Sequence, residues 1–216
     1  MKYQVALFDF DYTLVNSEKG ILKCFRLALQ EQGYPNPGDD MLRRQIGLPM
    51  EKACSIILGT DDPRAIRRFL DCYTVYADRY MTEETHFYPH TVALLQQLHQ
   101  HGMRLGIISS KTKSRIEEKF TLDGIPDFID YIVGSHDVEH HKPAPDGILK
   151  ALQHFHVSPE AILYTGDSYV DAEAAQRAGV DFAAVTTGTT CAEQFQQYPH
   201  VAILKDIGQL TSVVVR

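Results

Sequence analysis

The sequence is short of several features that mark whole classes of protein. Its 216 residues include no basic run, and with a formal net charge of -7 we do not expect nucleic acid as a partner. No apolar stretch approaches the length of a membrane span, so we expect no membrane association. The apolar run at the start, YQVALF, stops at Asp9, which differs from a signal peptide.

Cysteine is also scarce and unpatterned. The four cysteines form neither a CxxC pair nor a spacing typical of zinc sites. We therefore expect reduced thiols in a cytoplasmic protein. The content of 44% apolar and 23% charged residues is that of an ordinary globular domain. The acidic balance still allows an anionic substrate, provided that positive charge is concentrated locally.

Five short apolar runs, separated by helical patterns, predict an α/β fold. They are rich in strand formers and continuous rather than alternating, as in parallel strands buried on both faces. Strands that alternate with helices indicate a doubly wound parallel sheet, whose ligands bind at the carboxyl ends of the strands. The predicted strands are 3–8, 104–108, 131–133, 161–165 and 181–185, in a core domain of residues 1–15 and 86–216.

Residues 16–85 break this alternation and predict an inserted all-helical domain. One helix is expected after an N-cap at Ser17 and ends at Gly33, and another after an N-cap at Asp62 with Pro63 in its first turn. An insertion after the first strand is typical of a cap over a site at the sheet edge. The second helix carries an apolar stripe, which we interpret as bundle core, with ligand stacking as the alternative. The stripe comprises Ile66, Phe69, Leu70, Tyr73, Tyr76 and Tyr80.

Polar side chains stand at the points where the predicted strands end. Since the carboxyl ends of parallel strands meet at one edge of the sheet, we expect these side chains to converge. Several carboxylates suit Mg²⁺, and a hydroxyl with a lysine supplies donors for phosphoryl oxygens. Carboxylates as close as Asp9 and Asp11 repel each other by roughly 1–4 kcal/mol at about 4 Å, which a cation would offset. The converging residues are Asp9, Asp11, Thr13, Ser109, Ser110, Lys111, Lys142, Asp167 and Asp171.

The fragments DFDYT, IISS, HKPAPD and GDSYVD together resemble the four motifs of the haloacid dehalogenase superfamily of phosphohydrolases. The resemblance spans the whole chain, and the helical insertion is similar to that family's C1-type cap. The segments DVEHHKPAPD and IGLPMEKA are similar to the phosphoglycolate phosphatase and small pyrophosphatase group. Two departures are Tyr12, where many members have glycine, and His90, where glycine is common before the helix that follows the cap.

The resemblance implies a Mg²⁺-dependent phosphohydrolase that acts on a small phosphorylated metabolite or on pyrophosphate. It makes Asp9 the nucleophile, which forms an aspartyl-phosphate, and Asp11 the general acid and then the base. Mg²⁺ is expected on the carboxylates of Asp9 and Asp167 and on the backbone carbonyl of Asp11. Ser109 and Lys142 are expected to hold the phosphoryl oxygens.

The remaining polar residues of the motifs are expected to support these groups. Asp171 is expected to orient Lys142 or a metal-bound water, and Thr13 to support the loop. Further candidates for substrate binding are Ser110, Lys111, Arg43 and Arg44, the two arginines lying in the inserted domain.

Other functions remain open for this scaffold. A haloacid dehalogenase needs neither Asp11 as acid nor a Mg²⁺ site. A phosphonatase needs a Schiff-base lysine from the cap, for which Lys23 and Lys52 are candidates. A β-phosphoglucomutase-like phosphotransferase would pass the phosphoryl group to a sugar. The non-enzyme alternative is a phosphate-responsive module similar to a response-regulator receiver, but that fold is much shorter and has no helical insertion.

Three histidines precede Lys142 and raise a separate question. His136, His140 and His141 suggest a transition-metal site, but loop histidines of this kind are usually solvated. The sequence leaves their role open. It also leaves open the physiological substrate and whether the protein is a monomer or a homodimer.

Overall fold

A computed structural model describes residues 2–214, and the chain divides into two compact units. The first unit is Met1–Val15 with Phe87–Arg216, and the second is Asn16–His86. The boundary after residue 15 is the expected one, and the second boundary lies one residue later than expected. The role of the second unit as a cap stays a prediction. In the part of the chain that the structure describes, no helix is both long enough and apolar enough to span a membrane.

A parallel sheet of six strands forms the centre of the first unit, which confirms the predicted α/β fold. The strands of the described chain are β1 (Val5–Phe8), β2 (Val15–Asn16), β3 (His86–Phe87), β4 (Arg104–Ile108), β5 (Tyr131–Val133), β6 (Ile162–Gly166), β7 (Asp181–Val185) and β8 (Ala202–Leu204). The order across the large sheet is β5-β4-β1-β6-β7-β8, while β2 and β3 pair separately. The first strand in the sequence is thus central, between β4 and β6.

Helices account for most of the remaining chain. The helices of the second unit are α1 (Glu18–Glu31), α2 (Asp39–Arg43), α3 (Met50–Leu58) and α4 (Pro63–Tyr80). Those of the first unit are α5 (Thr91–Gln100), α6 (Lys113–Leu122), α7 (Asp146–Phe155), α8 (Tyr169–Ala178), α9 (Ala192–Phe195) and α10 (Thr211–Val214). Of these, α1 and α4 were predicted individually, whereas the other helices were expected only as helical patterns between the strands or within the insertion.

Two apolar layers enclose the sheet, one on each face. Side chains alternate along β1, so that Ala6 and Phe8 lie in one layer while Val5 and Leu7 lie in the other. All four residues are buried. A strand that is covered on both faces has no polar face to display, which is why these strands read as continuous apolar runs.

The apolar stripe of α4 packs inside the helical unit. Phe69 and Tyr73 are buried, with the ring of Tyr73 4.7 Å from that of Phe25 and the ring of Phe69 6.3 Å from that of Tyr34. These contacts support the bundle-core interpretation over ligand stacking for both residues. The other members of the stripe are half-buried: Ile66, Leu70, Tyr76 and Tyr80.

The two predicted N-caps have different outcomes. The side chain of Asp62 accepts a hydrogen bond from the Arg64 N–H at 3.0 Å, and Pro63 begins α4, as predicted. The prediction for Ser17 is wrong, because its hydroxyl makes no capping bond. The Asn16 side chain instead accepts from the Glu18 N–H at 3.1 Å. A side-chain amide that bonds two residues ahead forms an Asx turn, which satisfies the helix start from outside it.

The strand predictions differ from the structure mainly at the ends. The first strand begins at Val5 rather than Tyr3, whose hydroxyl donates to Asp181 at 2.8 Å. The fourth predicted strand runs over Ile162–Gly166, one residue later than expected. The edge strand β8 was missed, as were the two-residue strands β2 and β3.

Candidate active site

Backbone hydrogen bonds extend the sheet by one residue beyond β1 and β4. The Asp9 N–H donates to the Thr165 carbonyl at 2.8 Å, and the Ser109 N–H donates to the Val133 carbonyl at 3.0 Å. Both residues are buried at the carboxyl ends of their strands. The sheet itself therefore fixes the position of these two side chains.

Three of the four carboxylates that were expected at this edge meet there. Asp9, Asp167 and Asp171 each offer an oxygen within 4.8 Å of the others, and all three are buried. The Lys142 ammonium lies 2.7 Å from Asp9 Oδ1 and 2.6 Å from Asp171 Oδ1. One lysine thus bridges the end of β1 and the first turn of α8.

Asp171 is an anchor within this group rather than an open ligand. Its Oδ1 accepts from Lys142 and, at 2.8 Å, from the Tyr164 hydroxyl. Its Oδ2 accepts from the N–H and the hydroxyl of Ser168, at 3.1 Å and 2.5 Å. Four donors hold the carboxylate in place, and the role of Asp171 in orienting Lys142 stays a prediction. Tyr164 was missed because in the sequence it reads as one more apolar residue of a strand.

Burial and mutual repulsion disfavour the charged form of the carboxylates. Burial raises the pKa of Asp9 from 3.8 to about 6, since the charge of Lys142 offsets only part of the effect and Asp171 adds to it. Burial, together with the charges of Asp171 and Asp9, raises the pKa of Asp167 well above its usual value. Burial would lower the pKa of Lys142, but the charges of Asp171 and Asp9 raise it above its ordinary value. Burial and the charge of Asp171 raise the pKa of Tyr164 well above 10, so its hydroxyl keeps its proton.

These residues fit a divalent cation of the Mg²⁺ type. One ammonium balances only part of the charge of the three buried carboxylates. Every atom that could bind a metal here is a carboxylate oxygen. Asp167 is also held closely. The Thr13 hydroxyl donates to its Oδ1 at 3.3 Å, and a Cβ at Gly188 would lie 1.8 Å from its Oδ2. Gly188, a second residue that the sequence did not reveal, therefore leaves the space that the Asp167 carboxylate occupies.

The Asp11 carboxylate lies outside this group. It pairs with Lys111, whose ammonium is 2.9 Å from Oδ1 and 3.0 Å from Oδ2. The expected contact of Mg²⁺ with the Asp11 backbone carbonyl stays a prediction. Lys111, which was expected to bind substrate, contacts the predicted general acid instead.

The backbone beside Asp11 has a conformation that favours glycine at the next position. Tyr12 has a φ of 62°, in the left-handed region that favours glycine. Its side chain is buried, and its carbonyl accepts from the Thr187 hydroxyl. Packing and this hydrogen bond offset a backbone strain of roughly 1–2 kcal/mol.

The two serines after β4 differ in their surroundings. Ser109 Oγ accepts from the Lys111 N–H at 3.2 Å, and a hydroxyl that accepts in this way can still donate its own proton. Ser110 Oγ is buried without a hydrogen-bond partner among the described residues. Ser110 also lines a small cavity with Ser109, Lys142, His140 and His141.

The remaining candidates make contacts of their own. Arg43 bonds to Glu18 at 2.9 Å and to Asp40 at 2.6 Å, so a substrate would have to compete with two carboxylates for it. Arg44 is exposed. His140 is exposed and lies 3.1 Å from Asp146, His136 is exposed, and His141 is half-buried. The role of these histidines stays open.

Comparison with known proteins gives the family. The model of the haloacid dehalogenase-like hydrolases matches residues 6–185. The chain belongs to this family. Curated relatives include the pyrophosphatase PpaX of Bacillus thuringiensis, 31% identical over 86% of this chain and 84% of its own length. The PpaX of Bacillus mycoides is 28% identical over 100% of this chain and 99% of its own length.

Solved structures of the same family agree over nearly the whole chain. A proposed haloacid dehalogenase-like hydrolase from Bacteroides fragilis has 44% identity and a TM-score of 0.94, covering 97% of this chain and 100% of its own. A proposed phosphoglycolate phosphatase from Lactobacillus plantarum has 26% identity and a TM-score of 0.82, covering 95% of this chain and 96% of its own. The predictions of the family and of an enzyme of its phosphatase class are therefore confirmed.

Proposed function

We propose that this member of the haloacid dehalogenase-like hydrolase family removes phosphate from a small phosphorylated metabolite or from pyrophosphate through an aspartyl-phosphate intermediate. The observation that carries the proposal is the contact of 2.7 Å between the Lys142 ammonium and Asp9 Oδ1 at the carboxyl end of β1. A phosphoryl group repels a bare carboxylate, whereas a fixed ammonium beside the carboxylate attracts both.

Asp9 and Asp167 are the side chains that we expect to hold Mg²⁺, together with the backbone carbonyl of Asp11. Their burial and their incompletely balanced charge support this assignment. When bound, the ion neutralises charge on the substrate phosphate and on the two carboxylates. Thr13 and Gly188 support Asp167 from two sides.

In the first half-reaction, a carboxylate oxygen of Asp9 bonds to phosphorus while the bond from phosphorus to the leaving oxygen breaks. The electron pair of that bond stays on the leaving oxygen, which takes a proton from Asp11. In the second half-reaction, a water oxygen bonds to phosphorus and Asp11 takes the proton. The oxygen of Asp9 leaves phosphorus, and inorganic phosphate and the free carboxylate result.

The other residues of the site hold the phosphoryl group and one another. Ser109 donates to the phosphoryl oxygens, and the positive charge of Lys142 beside Asp9 attracts them, where negative charge shifts during transfer. Asp171, with its four donors, keeps the Lys142 ammonium directed at Asp9. Ser110 is a further donor candidate. Its buried hydroxyl has no hydrogen-bond partner among the described residues, and it lines the same small cavity as Ser109.

The substrate is proposed from the relatives rather than from the geometry. The two curated relatives named above are pyrophosphatases, and one solved relative is a proposed phosphoglycolate phosphatase. Together with the segment DVEHHKPAPD, this favours pyrophosphate over phosphoglycolate. Arg43 and Arg44 remain candidates for contact with the rest of the substrate.

Two alternatives on the same scaffold have less support. Phosphonatase chemistry needs a lysine free to form a Schiff base, but Lys23 lies 3.5 Å from Glu84 and 4.1 Å from the centroid of the Tyr80 ring. Lys52, the other candidate, is exposed. A β-phosphoglucomutase-like phosphotransferase would use the same Asp9 and Asp11, and differs only in whether a sugar or water accepts the phosphoryl group.

The four cysteines are free thiols, three of them buried and Cys191 exposed. This chemistry supports the proposed cytoplasmic location, where thiols stay reduced. We expect a monomer or a homodimer.

The test is a screen of phosphate release from pyrophosphate, phosphoglycolate, sugar phosphates and nitrophenyl phosphate, with kcat/KM compared across them. We expect Mg²⁺-dependent turnover that EDTA abolishes, with Mn²⁺ or Co²⁺ as substitutes and Ca²⁺ as an inhibitor. Full activity in metal-free buffer with chelator would contradict the metal requirement. A folded phosphoprotein that matched the best small molecule would contradict the substrate class.

A further inference from the structure

Tyr164 places a hydroxyl group among the charged residues of the site. The residue lies in β6, and its ring belongs to the apolar layer that packs against α7 and α8. Its side chain is fully buried. Phenylalanine would supply nearly the same apolar area, and a buried hydroxyl is costly unless it is hydrogen-bonded. Packing alone therefore does not account for a tyrosine here.

The Tyr164 hydroxyl contacts three groups of the site. It donates to Asp171 Oδ1 at 2.8 Å, and its oxygen lies 3.2 Å from the Lys142 ammonium. The carbonyl of Ile108 lies 3.3 Å from both the hydroxyl and the ammonium. A tyrosine oxygen that donates to a carboxylate can at the same time accept from an ammonium.

These contacts fix the orientation of the Lys142 ammonium. An ammonium has three N–H donors in a tetrahedral arrangement. Two of them point to Asp171 and Asp9, at 2.6 Å and 2.7 Å. The Tyr164 oxygen and the Ile108 carbonyl, on the strands next to β1, are the acceptors near the third. With all three directions satisfied, the ammonium has one preferred orientation.

We propose that Tyr164 is a positioning residue, whose hydroxyl fixes Lys142 and Asp171 so that the ammonium stays directed at Asp9 and at the phosphoryl group during transfer. The inference rests on the proposed phosphohydrolase function and adds to it a residue outside the four motifs. Tyr164 itself does not touch the substrate. It acts by limiting the orientations of a group that does.

The variant Tyr164→Phe removes this hydroxyl and little else. We expect kcat to fall about tenfold, as for the loss of one hydrogen bond to a charged group, while KM changes less than about threefold. Vanadate, which imitates the transferring phosphoryl group, should inhibit the variant about tenfold less strongly, whereas inhibition by inorganic phosphate should stay close to wild type. A residue needed only for folding would not separate these two inhibitors.

Tyr3→Phe is the matched control. The Tyr3 hydroxyl also donates to a carboxylate, the partly buried Asp181, at 2.8 Å, but at the amino-terminal edge of the sheet. Both variants therefore lose one tyrosine–carboxylate hydrogen bond. We expect similar losses in thermal stability and a lower kcat only for Tyr164→Phe.

A double-mutant cycle tests whether Tyr164 acts through its partners. Tyr164→Phe should lower kcat much less in an Asp171→Asn background than in the wild type, because the orientation of Lys142 is already lost. If Tyr164→Phe folds poorly, Tyr164→p-aminophenylalanine keeps a donor at the same place and should retain more of the wild-type kcat than Tyr164→Phe in the folded fraction.

All variants are assayed with Mg²⁺ and the best substrate of the screen, beside the wild type. A wild type without Mg²⁺-dependent turnover would contradict the proposed function. An active wild type with an unchanged kcat and vanadate constant in Tyr164→Phe would contradict the role of Tyr164 alone. Equal losses of kcat in Tyr164→Phe and Tyr3→Phe, or fully additive effects with Asp171→Asn, would also overturn the inference.

Discussion

The Lys111 ammonium lies 2.9 Å and 3.0 Å from the two carboxylate oxygens of Asp11, although the residues are 100 positions apart in the sequence. Both side chains are almost fully shielded from solvent. The partner of the predicted general acid is thus set by the packing of β1 beside β4. In this arrangement the Lys111 ammonium lies beside the side chain that we propose as general acid and base.

Lys111→Met should slow turnover, because the Asp11 carboxylate would lose the contact that orients it. We expect kcat to fall roughly 10- to 100-fold, within the range of general acid–base catalysis, and Lys111→Arg to retain part of it. The measurement is steady-state phosphate release. Lys113→Met is the control, since Lys113 is half-exposed and contacts only Glu117 at 3.7 Å among the ion pairs of the described chain. Equal activity in the two methionine variants would contradict the role given to Lys111.

Gly188→Ala should weaken the binding of Mg²⁺. The added Cβ would lie 1.8 Å from Asp167 Oδ2, so the carboxylate must move. We expect the dissociation constant of Mg²⁺, measured by calorimetry without substrate, to rise about tenfold or more, as for the loss of a residue that supports a metal ligand. Gly102→Ala is the control, because Gly102 has a φ of 78° and open space around its Cβ position. That variant should lose stability but keep the Mg²⁺ affinity of the wild type.

Mg²⁺ should stabilise the protein more at neutral than at acidic pH. In the metal-free protein, burial raises the pKa of Asp9 from 3.8 to about 6, and that of Asp167 rises as well. The folded state therefore binds protons more tightly than the unfolded chain. The contribution of these carboxyls to stability is present below about pH 4 and is lost as the pH rises through about 6. Above that range the carboxylates are charged, and we expect Mg²⁺ to offset their mutual repulsion.

Thermal unfolding with and without Mg²⁺ checks this expectation. At about pH 7.5, Mg²⁺ at about one hundred times its dissociation constant should raise Tm by roughly 5–10 °C, and at about pH 5 by much less. Asp9→Asn should reduce the difference between the two conditions. An equal or larger shift at the acidic pH would contradict the assignment of buried carboxylates as the ligands.

The fold followed from the sequence because its strands are buried on both faces. Such strands must be continuously apolar, and the residues just beyond them, such as Asp9 and Ser109, stand out as polar. Parallel strand order then brings those ends together without further information.

What the sequence could not give are contacts that depend on side-chain direction. Tyr164 contributes an apolar ring to one layer and a hydroxyl to the site, and only the packed structure separates the two. Gly188 matters because it has no side chain where the Asp167 carboxylate lies, and the sequence does not show which neighbour needs that space. The Ser17 cap failed for a related reason, because Asn16, one residue earlier, reaches the same helix end.

The central claim is that Asp9 is the nucleophile and Asp11 the proton carrier. Asp9→Asn should show neither turnover nor a covalent intermediate, since the attacking oxygen is gone. Asp11→Asn keeps the nucleophile but loses the base, so hydrolysis of the intermediate should slow by roughly 10²–10⁴-fold. With nitrophenyl phosphate, whose leaving oxygen needs little protonation, the first half-reaction should slow less. We therefore expect a burst of nitrophenolate near one equivalent, followed by a slow phase.

The most direct measurement is peptide mass spectrometry of Asp11→Asn, quenched with acid after that burst. The account predicts a phosphate on Asp9, and none in Asp9→Asn treated in the same way. Phosphate on Ser109, Ser110 or a histidine, or turnover by Asp9→Asn, would contradict it.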